Sequence, residues 1–300
     1  MERTNTLLFL ALAVMWGAAF TAIKAGLDYF PPVLFAAVRY DLAGVIMLGY
    51  AAYATDRWRP RTSEEYQAVL VGGTLLIAAY HAFLFVGEQG TTSAAAAIVV
   101  SLSPILTTGF ARAFLPEERL TLVGTIGLVV GFVGVVVLSE PDPNALVTAE
   151  TVSLGLVFLA ATAFALGSVL TRRIEYDLPI ETMEAWSMVL GALLMHALSL
   201  AIGESPASVR LTTEALLALG YLVVVASALG FLVYFYLLDE LGPIEINLVS
   251  YAAPVVAAVT ALVFLGERPT LATALGFGCI LVGFALMKRR ALREALNGRF

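Results

Sequence analysis

The sequence predicts an all-α integral membrane protein of ten transmembrane helices, arranged as two inverted five-helix repeats with both termini in the cytoplasm. Three observations lead to this fold class. The composition is unusually apolar, ten apolar stretches have membrane-spanning length, and one short motif recurs half a chain later. Together they place most of the chain in a lipid bilayer.

The composition identifies the solvent. Of the 300 residues, 60% are hydrophobic and only 13% are charged, and the mean hydropathy is +0.90. Soluble domains carry roughly 45–50% apolar and about 25% charged residues, so an ordinary core could not hold this much apolar surface. The chain therefore belongs to the membrane class.

Charge and cysteine content exclude several partners. The net charge of −6 and the pI near 5.0 argue against nucleic acid. The single cysteine, Cys279, excludes an intramolecular disulfide, and the two histidines are far apart in sequence. No metal and no cofactor are expected.

Crossing the hydrocarbon core takes about 20 apolar residues. The first apolar stretch is too long for the core of a signal peptide, so it is interpreted as a membrane helix. The predicted segments are 6–26, 31–54, 66–88, 91–112, 121–138, 152–171, 179–202, 214–238, 243–265 and 270–288.

The basic residues predict the orientation, because lysine and arginine concentrate in cytoplasmic loops. With the N-terminus inside, thirteen basic residues lie in inner loops and tails and three lie outside, namely Lys24, Arg210 and Arg268; Arg39, within the second segment, completes the 17. The longest outer connection, 139–151, carries no base. Both termini are therefore predicted to be cytoplasmic.

An internal repeat divides the chain. "FLPEERLT" near the middle and "FLGERPT" near the end share residues at a spacing of 150 positions, and "WGAAFTAIK" matches "FALGSVLTR" in layout at a spacing of 148. The residues that recur at 150 are Phe114 and Phe264, Leu115 and Leu265, Glu117 and Glu267, and Pro104 and Pro254. The predicted units are residues 1–140 and 141–300.

Each unit holds five segments, an odd number, so the second copy enters the membrane from the opposite face. Inverted repeats of this kind are typical of secondary transporters that alternate between two access states. The recurring motif then forms a turn at each membrane edge.

These motifs resemble the EamA family of the drug/metabolite transporter superfamily. The resemblance rests on "WGxxFxxxK" in the first segment and on Pro32 and Arg39 in the second segment. It rests also on the proline and "FLGE" of the ninth segment, which have an earlier copy in the fourth, and on the glycine-rich fifth and tenth segments. It covers nearly the whole chain. The sequence departs from the family pattern at Asp41, a usually apolar position, and in "FLPEERLT", which is one residue longer than usual.

The resemblance implies a carrier of small metabolites, often amino acids. Helices 1–4 and 6–9 would surround a central cavity, with helices 5 and 10 outside it. Transport would be coupled to an ion gradient or to exchange. The chain agrees in having no "GxxxxGK[ST]" phosphate loop for ATP.

Arg39 is the main candidate for substrate binding. It lies roughly 12 Å below the outer face, at a rise of about 1.5 Å per residue. A charge at this depth is costly unless it is paired or hydrated. It could bind a substrate carboxylate, or it could pair structurally with an acid or with helix-end carbonyls. Trp16, Tyr80, Ser101, Trp186 and Tyr251 are the predicted lining residues, with packing as the alternative for the tryptophans.

Asp41 and His81 are the candidates for a titrating group. Asp41 could receive an ammonium group or a coupling proton, or it could be a locally bonded carboxyl. Residues two apart on a helix face nearly opposite sides, so Arg39 and Asp41 are not expected to share one narrow cavity. His81 could titrate if hydrated, or simply bond across helices. His196, Glu184 and Asn247 are weaker candidates.

Pro104 and Pro254 are predicted hinges, because each frees a backbone carbonyl one turn earlier. A static kink is the alternative. In the fifth segment, Gly127 and Gly131 form a GxxxG stripe that permits close helix contact, either within the bundle or in a homodimer.

The predicted function is secondary active transport of a small metabolite, an amino acid or similar carboxylate or zwitterion, with export favoured over import. The alternative is a carrier or flippase for a lipid or lipid-linked sugar. An enzyme is not expected, since neither HExxH nor GxSxG occurs. The expected partners are the substrate, the bilayer and a coupling proton or exchanged solute. The predicted location is the cytoplasmic membrane of a prokaryote.

Overall fold

The computed structural model describes residues 3–114, 122–138, 148–246, 248–287 and 289. All regular structure within these ranges is helical. The helices are α1 (Arg3–Leu27), α2 (Pro32–Ala54), α3 (Ser63–Glu88), α4 (Ser93–Phe114), α5 (Leu122–Leu138), α6 (Ala149–Arg173), α7 (Ile180–Ala201), α8 (Thr213–Gly220, continuing through Tyr221–Leu229 and Gly230–Ile246), α9 (Val249–Leu265) and α10 (Leu271–Met287).

Among the described residues, seven helices are long and apolar enough to cross a membrane, namely α1–α4 and α6–α8. Helices α5, α9 and α10 are apolar but shorter. An all-helical, multi-span membrane fold is therefore established, while the count of ten spans and the placement of the termini stay predictions. The face that carries the α2–α3 and α6–α7 loops is called the inner face below, following the predicted orientation.

Threonine caps set several helix starts. The side chains of Thr62, Thr92, Thr148 and Thr212 each accept a hydrogen bond from the backbone N–H three residues later. At α3 the cap is reciprocal, because the Glu65 carboxylate accepts the Thr62 N–H at 3.2 Å. This capping box explains why α3 begins at Ser63, three residues before the predicted start.

The sequence prediction placed one break wrongly. Residues 239–242 were predicted to separate the eighth and ninth segments, but α8 continues through them to Ile246 and α9 begins at Val249. The charged "DELGP" stretch therefore extends a helix instead of ending it. Charge alone does not stop a helix at a membrane edge, since water there solvates the side chains while the backbone bonds continue.

The repeat extends to local backbone geometry. Helix α3 contains a π-helical stretch at Gly72–Ala79, and α8 contains one at Tyr221–Leu229. Their first residues are 149 positions apart, which falls within the spacing of 148 to 150 found for the sequence repeat. Such wide turns inside α-helices occur frequently at functional sites.

Helix packing follows the same repeat. The contact of α1 with α9 corresponds to that of α6 with α4. In the same way, the contact of α8 with α1 corresponds to that of α3 with α6, and the contact of α3 with α7 to that of α8 with α2. Helices α2 and α7 pair with each other, as do α5 and α10. Each of the contacts named here has a counterpart with the two halves exchanged, as expected for an inverted repeat.

The glycine stripe of α5 faces α10. A β-carbon on Gly134 would collide with the backbone oxygen of Gly276, and one on Gly283 would collide with the backbone of Gly127 and Gly131. The close approach that GxxxG permits is therefore used within the bundle.

The turns at the outer face tie the repeats together. The Glu204 carboxylate accepts the N–H groups of Val33 and Leu34 at 3.0 and 2.8 Å, which caps α2. The Glu267 carboxylate of the "FLGERPT" turn accepts the Ser93 N–H at 2.9 Å, which caps α4. This motif is thus a helix cap supplied by the opposite repeat; its first copy, at residues 115–121, lies outside the described residues.

Candidate functional site

Arg39 is a buried cation in the middle of the helical bundle. Its residue is 6% exposed, and its Nε donates to the Ser227 hydroxyl at 3.2 Å. Its guanidinium carbon lies 5.0 Å from the centre of the Tyr40 ring. Among the described residues, no carboxylate lies within ion-pair distance of Arg39. The guanidinium therefore keeps most of its five donors unassigned.

Trp16 reaches the same part of α8. Its indole N–H donates to the Ala226 carbonyl at 3.1 Å, one residue before the partner of Arg39. Its ring lies 6.0 Å from that of Phe231 and 5.4 Å from that of Tyr234. Trp16 of α1 and Arg39 of α2 thus bond to successive residues of the α8 π-helical stretch.

Tyr40, Tyr80 and His81 form the other wall. The Tyr40 hydroxyl and His81 Nε2 are 2.7 Å apart, and His81 Nδ1 is 2.8 Å from the Ile77 carbonyl. Because a carbonyl only accepts, Nδ1 carries the proton and Nε2 accepts from Tyr40. Both nitrogens of a neutral His81 ring are then satisfied. Tyr80 packs edge-on against this ring at 4.5 Å and lies 5.4 Å from Phe164 of α6.

The central cluster is defined here by residues of four helices: Trp16, Arg39, Tyr40, Tyr80, His81 and Ser227. It combines one uncompensated positive charge with aromatic faces and hydroxyl groups. Such a site suits an anionic group attached to a small, partly apolar body. The described residues contain no group of three or more potential metal-ligating side chains.

Glu184 lies between this cluster and the inner face. It is partly exposed on α7, and it forms no ion pair or hydrogen bond within the described parts of the chain. Its carboxylate and the Arg39 guanidinium both act electrostatically on the Tyr40 hydroxyl. It also acts on Tyr176 of the α6–α7 loop and on Tyr234. The arrangement is positive at the centre and negative toward the inner face.

Asp41 points away from Arg39. Its carboxylate lies 2.6 Å from His196 Nε2 of α7, and the two side chains are 45% and 36% exposed. The pair lies at the surface of the bundle and outside the central cluster. The two-residue spacing that predicted opposite faces for Arg39 and Asp41 agrees with this placement.

Ser101 lies at an interruption of α4. The helix consists of Ser93–Val100 and Ser103–Phe114, and the Ser101 hydroxyl donates to the Ile98 carbonyl at 2.6 Å. The carbonyl that Pro104 leaves without its N–H partner belongs to Val100, and the Ser103 hydroxyl donates to it at 2.7 Å. In the second repeat, Pro254 lies inside the continuous helix α9.

The structure does not bring Trp186 or Tyr251 into the cluster. Trp186 donates to the Trp58 carbonyl at 2.9 Å and stacks on its ring near the inner face. Tyr251 is buried against Phe284 of α10, with 4.4 Å between ring centres. Asn247, a weaker candidate, lies outside the described residues.

Sequence reasoning missed Tyr40, Ser227, Phe231 and Tyr234. Tyr40 adjoins Arg39 in sequence, and an aromatic residue beside a buried cation was a usable signal. Ser227 had no such signal, because it is one small polar residue in a long apolar helix. Only the packing of α8 on α1 and α2 identifies it.

Comparison with known proteins gives a consistent result. The model of the EamA-like transporter family matches residues 4–140 and 151–289. An "Uncharacterized transporter" of Archaeoglobus fulgidus is 29% identical over 94% of this chain and 98% of its own length. The "Uncharacterized inner membrane transporter YedA" of Escherichia coli K12 is 26% identical over 92% and 88%.

Two further matches bear on function and fold. A "Probable amino-acid metabolite efflux pump" of Salmonella typhimurium is 29% identical over 98% of this chain and 99% of its own length. One solved crystal structure has a TM-score of 0.67 at 23% identity, covering 98% of this chain and 99% of that chain. At that identity the likeness concerns the fold alone.

Proposed function

The chain belongs to the EamA-like transporter family, and we propose that it is a secondary active transporter that exports a small carboxylate or zwitterion, such as an amino acid, by alternating access. It is a multi-pass membrane protein, and its relatives include inner membrane transporters of bacteria. The substrate class, the direction and the mechanism are the proposed parts.

One observation carries the proposal: Arg39 is buried without a carboxylate partner among the described residues. An isolated charge inside a bundle is expensive, and the cost falls when an anion supplies paired hydrogen bonds. A substrate carboxylate can accept two parallel N–H groups from the guanidinium. Arg39 would therefore anchor the carboxylate.

The surrounding groups indicate what is attached to that carboxylate. Trp16 and Tyr80 offer ring faces to an apolar side chain. Glu184, toward the inner face, offers a negative charge to an ammonium group on its way to the centre. The printed name of the Salmonella relative, an amino-acid metabolite efflux pump, supports the same substrate class and direction.

Alternating access is proposed from the inverted repeat. We interpret the outer end as closed here, because Ser93 to Val99 at the start of α4 are all buried. The α4 interruption beside Pro104 and the helix around Pro254 would bend as the outer face opens. Asp41 and His81 stay candidates for a titrating group, although His81 already has both nitrogens bonded.

The test is counterflow with purified protein in proteoliposomes. Vesicles preloaded with unlabelled amino acids are given a labelled mixture, and accumulation is compared for wild type, Arg39→Gln, Arg39→Lys and the exposed control Arg61→Gln. Losing a charge-assisted pair costs about 1.5–3 kcal/mol, so Arg39→Gln should raise the half-saturation concentration by roughly 10-fold or more. Arg61→Gln should match wild type.

Two results would count against the proposal. Wild-type affinity in a folded Arg39→Gln variant would remove the carboxylate anchor. Accumulation of no amino acid or carboxylate, together with movement of a fluorescent lipid between leaflets, would favour a lipid carrier.

A further inference from the structure

Glu88 is a fully buried carboxyl at the outer end of α3. Its residue is 0% exposed, and neither side-chain oxygen has a hydrogen-bond partner in the part of the chain that the structure describes. The nearby Thr91 hydroxyl is likewise buried without a partner. Glu88 lies eight residues beyond Tyr80, or about 12 Å along the helix, between the central cluster and the outer face.

Most donors around Glu88 are already used by other acceptors. Lys24 of α1 donates to the backbone carbonyls of Glu88, Gln89 and Thr91 at 2.8, 3.0 and 2.8 Å. An ammonium group has three N–H donors, so Lys24 has none left for the carboxyl. The Ser93 N–H is bonded to Glu267. The Ser93 hydroxyl is 3.5 Å from the Phe20 carbonyl and also acts on the Glu88 carboxyl, although the two do not reach hydrogen-bond geometry.

The charged and titratable groups that act on Glu88 come from three helices. Lys24 of α1 attracts a negative charge at Glu88, Glu267 at the end of α9 repels it, and Tyr80 of its own helix also interacts with it. Helices α4 and α6 present the uncharged Ser93 and Ser153 near this end of α3. The first turn of α6 also carries Glu150, which is exposed.

An ionised carboxylate here would lose its hydration and gain at most one bond, from the Ser93 hydroxyl, so burial strongly disfavours the charged form. A protonated carboxyl loses much less. The contacts beside Glu88 join the end of α3 to α1, and the start of α4 to the turn after α9. In the proposed transport cycle these contacts would separate when the outer face opens.

We propose that Glu88 is a proton-binding site of the outer gate, which takes up one proton from the external water when the outer face closes and returns it there when the face opens. The inference rests on the alternating access proposed above. The proton balance is simple: the carboxylate and one external proton give the carboxylic acid on closure, and the acid dissociates on opening. No other reactant takes part.

The direction of the pH effect on the gate follows from the linkage between proton binding and closure. The closed state binds more protons than the open state, so low external pH favours the closed outer face and raising the pH favours opening. A single linked proton changes the ratio of closed to open protein by up to about tenfold per pH unit.

A buried cysteine in the gate can report this equilibrium without any substrate. Cys279→Ser removes the native thiol, and Ala94→Cys places one at the outer start of α4, where Ala94 is 3% exposed. A membrane-impermeant maleimide is added outside sealed vesicles at external pH 5.5 to 8, with the internal pH fixed. Because thiol reactivity itself rises with pH, each rate is divided by that of an exposed Ser205→Cys reporter.

The gate variants are Glu88→Gln, which mimics the protonated group, and Glu88→Asp, which keeps a titratable one. Glu150→Gln is the matched control at the same face. Normalised labelling should rise with external pH in wild type, Glu150→Gln and Glu88→Asp. In Glu88→Gln it should stay low and independent of pH.

Labelling that is independent of pH in wild type, or equally dependent in Glu88→Gln, would overturn the inference. If the pH dependence of labelling disappeared in both Glu88→Gln and Glu88→Asp, the packing of the Glu88 side chain would explain it, and the titration of a carboxyl at this position would not. If Glu88→Gln does not fold, Glu88→Leu serves as the second uncharged variant. The labelling experiment uses no substrate. A negative counterflow result would therefore count against the proposed substrate class without affecting the test of Glu88.

Discussion

At the scale of single residues, Tyr40 and His81 form a buried and tightly held polar pair. Both are buried, and every polar atom of the His81 ring is bonded, to Tyr40 on α2 and to Ile77 on its own helix. The pair fixes the ring beside which Tyr80 packs. It therefore positions one wall of the proposed substrate site.

Replacing Tyr40 with phenylalanine should reveal this role. The ring is kept, but His81 Nε2 loses its donor in a buried place, so the free energy of unfolding should fall by about 1–3 kcal/mol. Thermal unfolding in detergent measures the change. Tyr53→Phe is the control, since Tyr53 is 91% exposed, and it should leave the midpoint unchanged. An unchanged midpoint in Tyr40→Phe would mean that the hydrogen bond contributes nothing.

At the scale of helices, the close packing of α5 on α10 depends on glycines, which have no side chain to keep the two backbones apart. Gly134 and Gly276 approach with their backbones, and the remaining glycines of both helices extend this contact. Besides each other, these two helices pack most extensively on α4. They therefore act as a pair that supports the bundle from one side.

Two glycine-to-alanine substitutions separate close packing from helix propensity. In Gly134→Ala the new methyl group collides with the Gly276 oxygen and the Cys279 side chain. Such overpacking should lower the free energy of unfolding by roughly 1–3 kcal/mol. In Gly278→Ala nothing lies in the way, and the stiffer backbone should add about 0.5–1 kcal/mol.

The measurement is the unfolding midpoint of both variants in the same detergent. The opposite signs are the diagnostic feature, because both substitutions add one methyl group to an apolar helix. A destabilised Gly278→Ala variant, or a neutral Gly134→Ala variant, would contradict the packing described here.

At the scale of the whole molecule, the two halves close each other. The outer turn that carries Glu204 caps α2, and at the inner face Arg57 bonds to Glu65 and Asp177 while the Thr182 hydroxyl donates to the Arg57 carbonyl at 2.9 Å. Equivalent loops thus join the repeats at opposite faces. This reciprocity is what two-sided access requires.

The orientation of the molecule can be tested with two exposed positions. In a Cys279→Ser background, Ser205→Cys lies in the predicted outer α7–α8 loop and Arg59→Cys in the predicted inner α2–α3 loop. An impermeant maleimide added to intact cells should label Ser205→Cys, and it should label Arg59→Cys only after permeabilisation. The reverse pattern would contradict the predicted orientation.

Much of the fold was readable from the sequence, and the reason is specific. Apolar runs and turn residues report where helices lie, since a helix in lipid must satisfy its own backbone bonds. The break after the eighth helix was misplaced because the charged stretch at 239–242 remains helical. The site was less readable. Arg39 was named from its depth and from the family resemblance, but its partner Ser227 is 188 residues away and contributes only a hydroxyl group.

Composition and spacing are properties of the chain, so they sufficed to predict a helical membrane protein, its internal repeat and its family resemblance. Which candidates come together was evident only once the helices were packed. Arg39 and Trp16 bond to successive residues of the α8 π-helical stretch, Tyr80 packs on His81, Asp41 lies against His196 at the surface, and Glu88 is buried near Lys24. The physical reason is that a helix presents side chains on all sides. Which side faces a neighbour depends on how the helices pack, and the local sequence does not record that.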